Sequence, residues 1–248
     1  MNVKSTIRCQ NFREYLSKMN GLTLDKLYGE PAICLAAFRE LPPLAKHYIM
    51  RLLYVEQPIP KAVINSWVTQ SSLKEHNDTI DIMKQLRIWS DAQMPGGLPG
   101  FLVNSTFRNS LKVALLGGGT PWIIKQALQK DKHERTIAFL DNYALERWEC
   151  ILHFMVGSQP KTEAISNDTI DTLVKAGLTK YDTPLNPGGS KEPPAAITAE
   201  GFQFLLMDTY SQVWFFILQY LNHLESKGLN LVESLSFLFQ LSFLTLGK

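Results

Sequence analysis

Cysteine is scarce in this chain: Cys9, Cys34 and Cys150 are three in number and far apart. An odd, dispersed set argues against a disulfide framework and reads as a protein of a reducing compartment. Neither positive nor negative charge is in excess, with 25 Lys plus Arg against 23 Asp plus Glu. A field that weak leaves nucleic-acid binding dependent on a local basic patch. Membrane-length apolar runs are also absent. Thr209 to Asn222 and Ser234 to Gly247 carry no charge, but each is only 14 residues long, short of the roughly 20 that span a bilayer. Gln212, Gln219, Ser236, Gln240 and Ser242 interrupt them. No apolar run follows Met1-Asn2-Val3-Lys4-Ser5, so no secretory signal is expected.

What is present is a repeated grammar. Short helical stretches run twice into a strand, a Pro/Gly-rich turn and a second strand. The first copy ends Leu86-Arg87-Ile88-Trp89, then Met94-Pro95-Gly96-Gly97-Leu98-Pro99-Gly100, then Phe101-Leu102-Val103. The second ends Gly177-Leu178-Thr179-Lys180-Tyr181, then Pro184 through Pro194, then Ala195-Ala196-Ile197. The pattern predicts a mainly α chain of tandem winged-helix domains (helix-turn-helix plus β-wing) with additional helices.

Asn20-Gly21 splits an opening helical stretch, Pro31 starts a further helix and Pro42-Pro43 ends it. Leu44 to Val55 reads as the first helix of a three-helix unit. Gln57-Pro58-Ile59-Pro60 introduces the second, burying Val63, Ile64 and Trp67. Ser72 and Glu75 form an S-x-x-E capping box for the third. Farther on, Leu145, Trp148, Leu152 and Met155 mark one buried stripe on a long helix. Ser166 or Asn167 caps the next helix, Gly177 closes it, and Asp208 caps a later one. The expected organisation is 1–42, helices packed on the first domain; 43–119, winged-helix domain 1; 120–135, linker; 136–228, winged-helix domain 2 with extra helices. Residues 229–248 then form the first helix of a truncated third unit. That helix is apolar nearly all round and wants cover on several sides.

Chemistry is sparse. Gly117-Gly118-Gly119-Thr120 and Gly188-Gly189-Ser190-Lys191 do not fit G-x-x-x-x-G-K-[ST]. Cys150 and His153 share a helix face, but no second pair completes a zinc set. Asp78/Asp81, Glu146/Glu149 and Asp168/Asp171 read as solvated faces, and no G-x-S-x-G nucleophile is present. The expectation is no catalytic residue, no cofactor and no metal. Duplex reading is disfavoured on charge. The first groove-facing helix carries Glu75, Asp78 and Asp81 against Lys74 and Lys84, and the second carries Asp168 and Asp171 against Lys175. Such carboxylates repel phosphates. The first wing has no Lys or Arg from Ser90 to Gly100, and the second has Lys191 only beside Glu192. Contact with proteins remains, with Trp89, Met94, Leu98, Trp122, Leu235, Leu238 and Phe239 as partner-binding candidates.

Several words are distinctive: Leu27-Tyr28-Gly29-Glu30-Pro31-Ala32, Leu86-Arg87-Ile88-Trp89, Glu146-Arg147-Trp148-Glu149, Leu152-His153-Phe154-Met155-Val156-Gly157-Ser158 and Leu235-Ser236-Phe237-Leu238-Phe239-Gln240-Leu241. In order and across the whole chain, they resemble the N-terminal half of the fifty-two-kilodalton core subunit family, subunit 4, of general transcription factor IIH. The resemblance implies a non-catalytic nuclear scaffold acting in transcription initiation and nucleotide excision repair. It also implies contact with other core subunits, among them the thirty-four-kilodalton von Willebrand-type one. The segments that hold the DNA translocase and the smallest subunit, and support the translocase ATPase, resemble regions beyond Lys248. The alternative left by the residues alone is a sequence-specific DNA-binding winged-helix regulator.

Overall fold

A computed structural model describes residues 11–117, 132–158, 165–180 and 196–241. Cys9, the greater part of the expected linker with Trp122, and the Pro184 to Pro194 turn lie outside the described residues. The chain is mainly helical, and its described residues fall into two units. One comprises those of Phe12–Lys125 and Val232–Leu244, the other Asn11 and those of Gln126–Leu231.

The first unit opens with α1 (Phe12–Ser17) and α2 (Gly21–Leu27). Asn20 separates them, its side chain accepting from the Thr23 amide. Pro31 occupies the first turn of α3 (Pro31–Glu40), where its missing N–H costs nothing. Pro43 does the same for α4 (Pro43–Leu52). Ile59–Pro60, expected to start a helix, instead forms the short strand β1 before α5 (Lys61–Asn65). Ile64 is buried as expected, but Val63 is 42% exposed, because so short a helix turns only one side inward. A 3-10 turn (Gln70–Ser72) precedes α6 (Leu73–Gln85). That turn places Ser72 at φ −103° and ψ 8°, outside the extended conformation of a capping residue, and the capping box does not form.

After α6 come β2 (Trp89–Gln93), β3 (Pro99–Val103) and α7 (Ser105–Leu116). The strands make one antiparallel sheet in the order β1-β3-β2, with Trp89 opposite Val103 and Ile59 opposite Phe101. Gly96 and Gly97, at φ 83° and 77°, make the tight turn that joins β2 to β3. Asn104 caps α7 through the Phe107 amide, and Gly117 ends it at φ 80°. The core joins Leu16, Leu24, Leu27, Ile33, Ile49, Phe107 and Leu111, all 1% exposed or less. Tyr28 enters it too, donating its hydroxyl to the Leu86 carbonyl at 2.7 Å.

The second unit begins with α8 (Ile137–Met155), capped by Thr136. α9 (Asn167–Lys175) is capped by Ser166. A two-residue pair follows, β4 (Thr179–Lys180) against β5 (Ala196–Ile197), then α10 (Ala199–Leu205) and α11 (Thr209–Ser226), capped by Asp208. Gly177 closes α9 at φ 72°, as the sequence suggests. Met155, Leu173, Leu178, Phe204 and Phe215 form the core, with Trp148 and Leu152 against it. Leu145, expected on the same stripe, is 55% exposed, because the core meets only the C-terminal turns of α8.

The last helix, α12 (Leu231–Leu241), groups from Val232 onward with the first unit. Leu235 is fully buried, the Phe239 ring lies 4.9 Å from Phe12, and Ser236 donates to Glu30 at 3.0 Å. Phe237 and Leu241 face outward.

Candidate interaction site

Helix α6 is held from beneath by polar contacts that a hydrophobic pattern does not announce. His76, Thr79 and Met83 are its buried residues. The Tyr48 hydroxyl meets His76 Nδ1 at 2.7 Å, and His76 Nε2 meets Asn65 Oδ1 at 3.0 Å. An amide oxygen only accepts, so Nε2 carries the proton and Nδ1 accepts from Tyr48. The ring is therefore neutral, and burial lowers its pKa from the ordinary histidine range. This chain of bonds ties α4, α5 and α6 together and fixes which side of α6 faces out.

The outward side carries Lys74, Glu75, Asn77, Asp78 and Asp81, all exposed. The two lysines at the hairpin are occupied. Asp91 on β2 takes Lys61 at 2.7 Å and Lys84 at 2.8 Å. Both ammonium groups also lie over the Phe101 ring, at 4.8 and 5.2 Å. Those two lysines hold the Asp91 carboxyl below the usual carboxylate range. The face beside the hairpin thus presents Glu75, Asp78 and Asp81 with Lys74, while Lys61 and Lys84 are turned onto the sheet.

The second unit engages its charges differently. Lys227, at the C-terminal cap of α11, binds Asp168 on α9 at 2.7 Å, and this contact raises the lysine's pKa. Lys175 donates to the buried His223 Nδ1 at 2.7 Å. Both α6 and α9 have a charged side chain engaged by a neighbouring element.

The predicted contact residues fare differently. Trp89 is 1% exposed, stacked against Tyr48 and Phe101 with centroids 5.8 and 5.1 Å away, so it is a core residue and not a surface anchor. Its place in a strand between two aromatic rings explains the burial. Leu98 is 58% exposed at the hairpin turn. Met94 is half-buried; its Cγ would lie 3.2 Å from a Cβ at Gly100, so the side chain folds back across that glycine. Leu235 is buried, and Leu238 and Phe239 are half-buried, all three on α12, while Trp122 falls outside the described residues.

Sequence reasoning missed the first turns of α8. Ile137, Phe139, Tyr143 and Leu145 are exposed there, with Phe139 and Tyr143 stacked 6.4 Å apart. Among the described residues no group of three or more His, Cys, Asp or Glu could hold a metal, and no helix is long and apolar enough to cross a membrane.

A family model described as transcription factor Tfb2 matches residues 14–248. The general transcription and DNA repair factor IIH subunit TFB2 of Arabidopsis thaliana is 32% identical over 246 residues, covering 98% of this chain and 52% of its own length. The Saccharomyces cerevisiae protein of the same name is 35% identical over 237 residues, 95% of this chain and 44% of its own. General transcription factor IIH subunit 4 of Dictyostelium discoideum is 28% identical over 267 aligned positions, covering 95% and 53% respectively. The chain spans about half the length of these relatives.

Proposed function

Because the chain belongs to the Tfb2 family, we propose that it is a non-catalytic subunit of the core of general transcription factor IIH. It acts in the nucleus, in RNA polymerase II transcription initiation and nucleotide excision repair, by holding core subunits together. The thirty-four-kilodalton von Willebrand-type subunit is the partner proposed for this half of the protein. Support of the translocase ATPase, and contact with the translocase and the smallest subunit, are proposed for the remainder of the longer relatives. The two helix-and-hairpin units are winged helices put to protein contact.

One observation carries this reading: the exposed Glu75, Asp78 and Asp81 of α6 stand beside a hairpin whose Asp91 already claims Lys61 and Lys84. A phosphate backbone laid there would meet carboxylates and release few counterions. A protein partner bears no such uniform charge.

The test is reconstitution with each other core subunit, with amide protection mapped by hydrogen exchange, alongside duplex titration at physiological salt. Stable assembly with at least one subunit and weak duplex binding are expected. Tight duplex binding that falls steeply with salt, with no assembly, would falsify the scaffold reading.

A further inference from the structure

A cleft of about 800 Å3 lies beside the hairpin of the first unit. Its walls include Asp25 of α2, Lys84 of α6, Arg87 in the following turn, Trp89 and Asp91 of β2, and Arg108 of α7. Two of its wall residues hold buried donors. The Trp89 indole Nε1–H has no acceptor among the described residues. Arg108, 6% exposed, gives Nη1 to the Val55 carbonyl at 2.9 Å and sets Nη2 3.5 Å from Glu56, leaving Nε–H without an acceptor among those residues. Buried donors rarely stay unpaired.

The backbone marks the same place. Arg87 has φ 54°, a left-handed conformation that costs a side-chain-bearing residue energy and often persists where a site requires it. Its guanidinium crosses Gly21, where any Cβ would strike it, and stands 3.6 Å from Asp25. Beside it, β2 is the edge of its sheet. The Asn104 amide bonds to the Ile88 carbonyl, and the Met94 amide to that of Leu98. With Ser90 opposite Leu102, the alternation points the main-chain groups of Trp89, Asp91 and Gln93 away from β3. Such an edge is a template for an extended chain.

Charge selects the occupant. Lys84 and Asp91 answer each other at 2.8 Å, which leaves Arg87 and Arg108 against Asp25 and Glu56 on the lining. A phosphodiester chain would meet those carboxylates repeatedly, whereas a peptide can offer one acid among neutral residues. Resting on the scaffold reading, we propose that the cleft and the β2 edge receive an extended segment of a partner protein. One Asp or Glu of that segment is recognised by Arg87.

The probe is a capped hexapeptide alternating Val and Glu, compared with its Val/Lys counterpart and a mixed-sequence DNA duplex. Nitrogen-15 spectra of the chain follow the Trp89 indole and Arg108 Nε–H signals. At about 1 mM, a weak-binding regime, the Glu peptide is expected to shift both signals and the Lys peptide neither. Arg87→Gly, which suits the backbone at that position, should weaken the response about tenfold while keeping the fold. Asp25→Asn should strengthen it. Unmoved signals with the Glu peptide, or equal shifts from the Lys peptide or the duplex, overturn the inference. If the chain still assembles with core subunits in that case, only this inference falls; failure to assemble strikes the scaffold reading itself.

Discussion

Urea unfolding of the chain, repeated from about pH 8 to about pH 5, should expose the contribution of His76. The ring is 1% exposed, accepts from Tyr48 and donates to Asn65. Burial lowers its folded pKa, while the unfolded chain keeps the ordinary value near ~6.5. Above that value both states are neutral and the contribution is whole. As the pH falls below it, the unfolded chain takes up the proton first, and stability drops by up to about 1.4 kcal/mol per pH unit. The decline ends once the folded ring protonates too. A protonated ring could no longer accept from the Tyr48 hydroxyl, which is why the folded state resists. Tyr48→Phe should cost about 1–3 kcal/mol at neutral pH, the price of a buried acceptor left without its donor. His76→Leu removes the acid limb, so its difference from the parent isolates this residue from the other histidines. Asp91 and Asp208 have lowered pKa values and act in a separate window, near and below pH ~4. A parent-minus-variant difference that stays flat, or that grows as the pH falls, would refute the assignment of a neutral, hydrogen-bonded His76.

Three further outcomes are expected. Neutralising the outer face of α6 by Glu75→Gln, Asp78→Asn and Asp81→Asn should raise duplex affinity at least about tenfold at low salt, measurable by fluorescence anisotropy; unchanged affinity would mean that these carboxylates are not what repels DNA. Gly201→Ala should destabilise the second unit by about 2 kcal/mol or more in thermal melts, because a Cβ would intrude on the Leu178 carbonyl and on Ile197 Cγ1. Phe204→Ala should cost about 3–5 kcal/mol in that unit, since its ring is fully buried against Phe215 and Trp148; a loss under about 1 kcal/mol would disprove its central place.

Punctuation in the chain was legible wherever a local rule governs it. Asn20, Ser166 and Asp208 cap helices, Gly117 and Gly177 end them, and Pro31 begins one, because each choice depends on a few neighbouring backbone groups. Burial was harder, because it depends on distant partners. Trp89 seemed a plausible anchor until the rings of Tyr48 and Phe101 enclosed it. Leu145 fits the apolar stripe of α8 but lies beyond the reach of the core. Strand β1 hides in a Pro-x-Pro segment, and only pairing with Phe101 and Gly100 reveals it. The acidity of α6 was readable directly, whereas the sequestering of Lys61 and Lys84 required Asp91 to be placed in space.

Phe12 touches Phe239, and Glu30 accepts from Ser236, so the first unit is closed by residues from opposite ends of the described chain. During synthesis the ribosome delivers α1 long before α12. At ordinary elongation rates the wait is on the order of ten seconds or more, and the whole second unit emerges in between. Until then the nascent chain carries an uncovered apolar seam at its N-terminal end. A premature stop just before α12 would leave a product in which the first unit is never sealed.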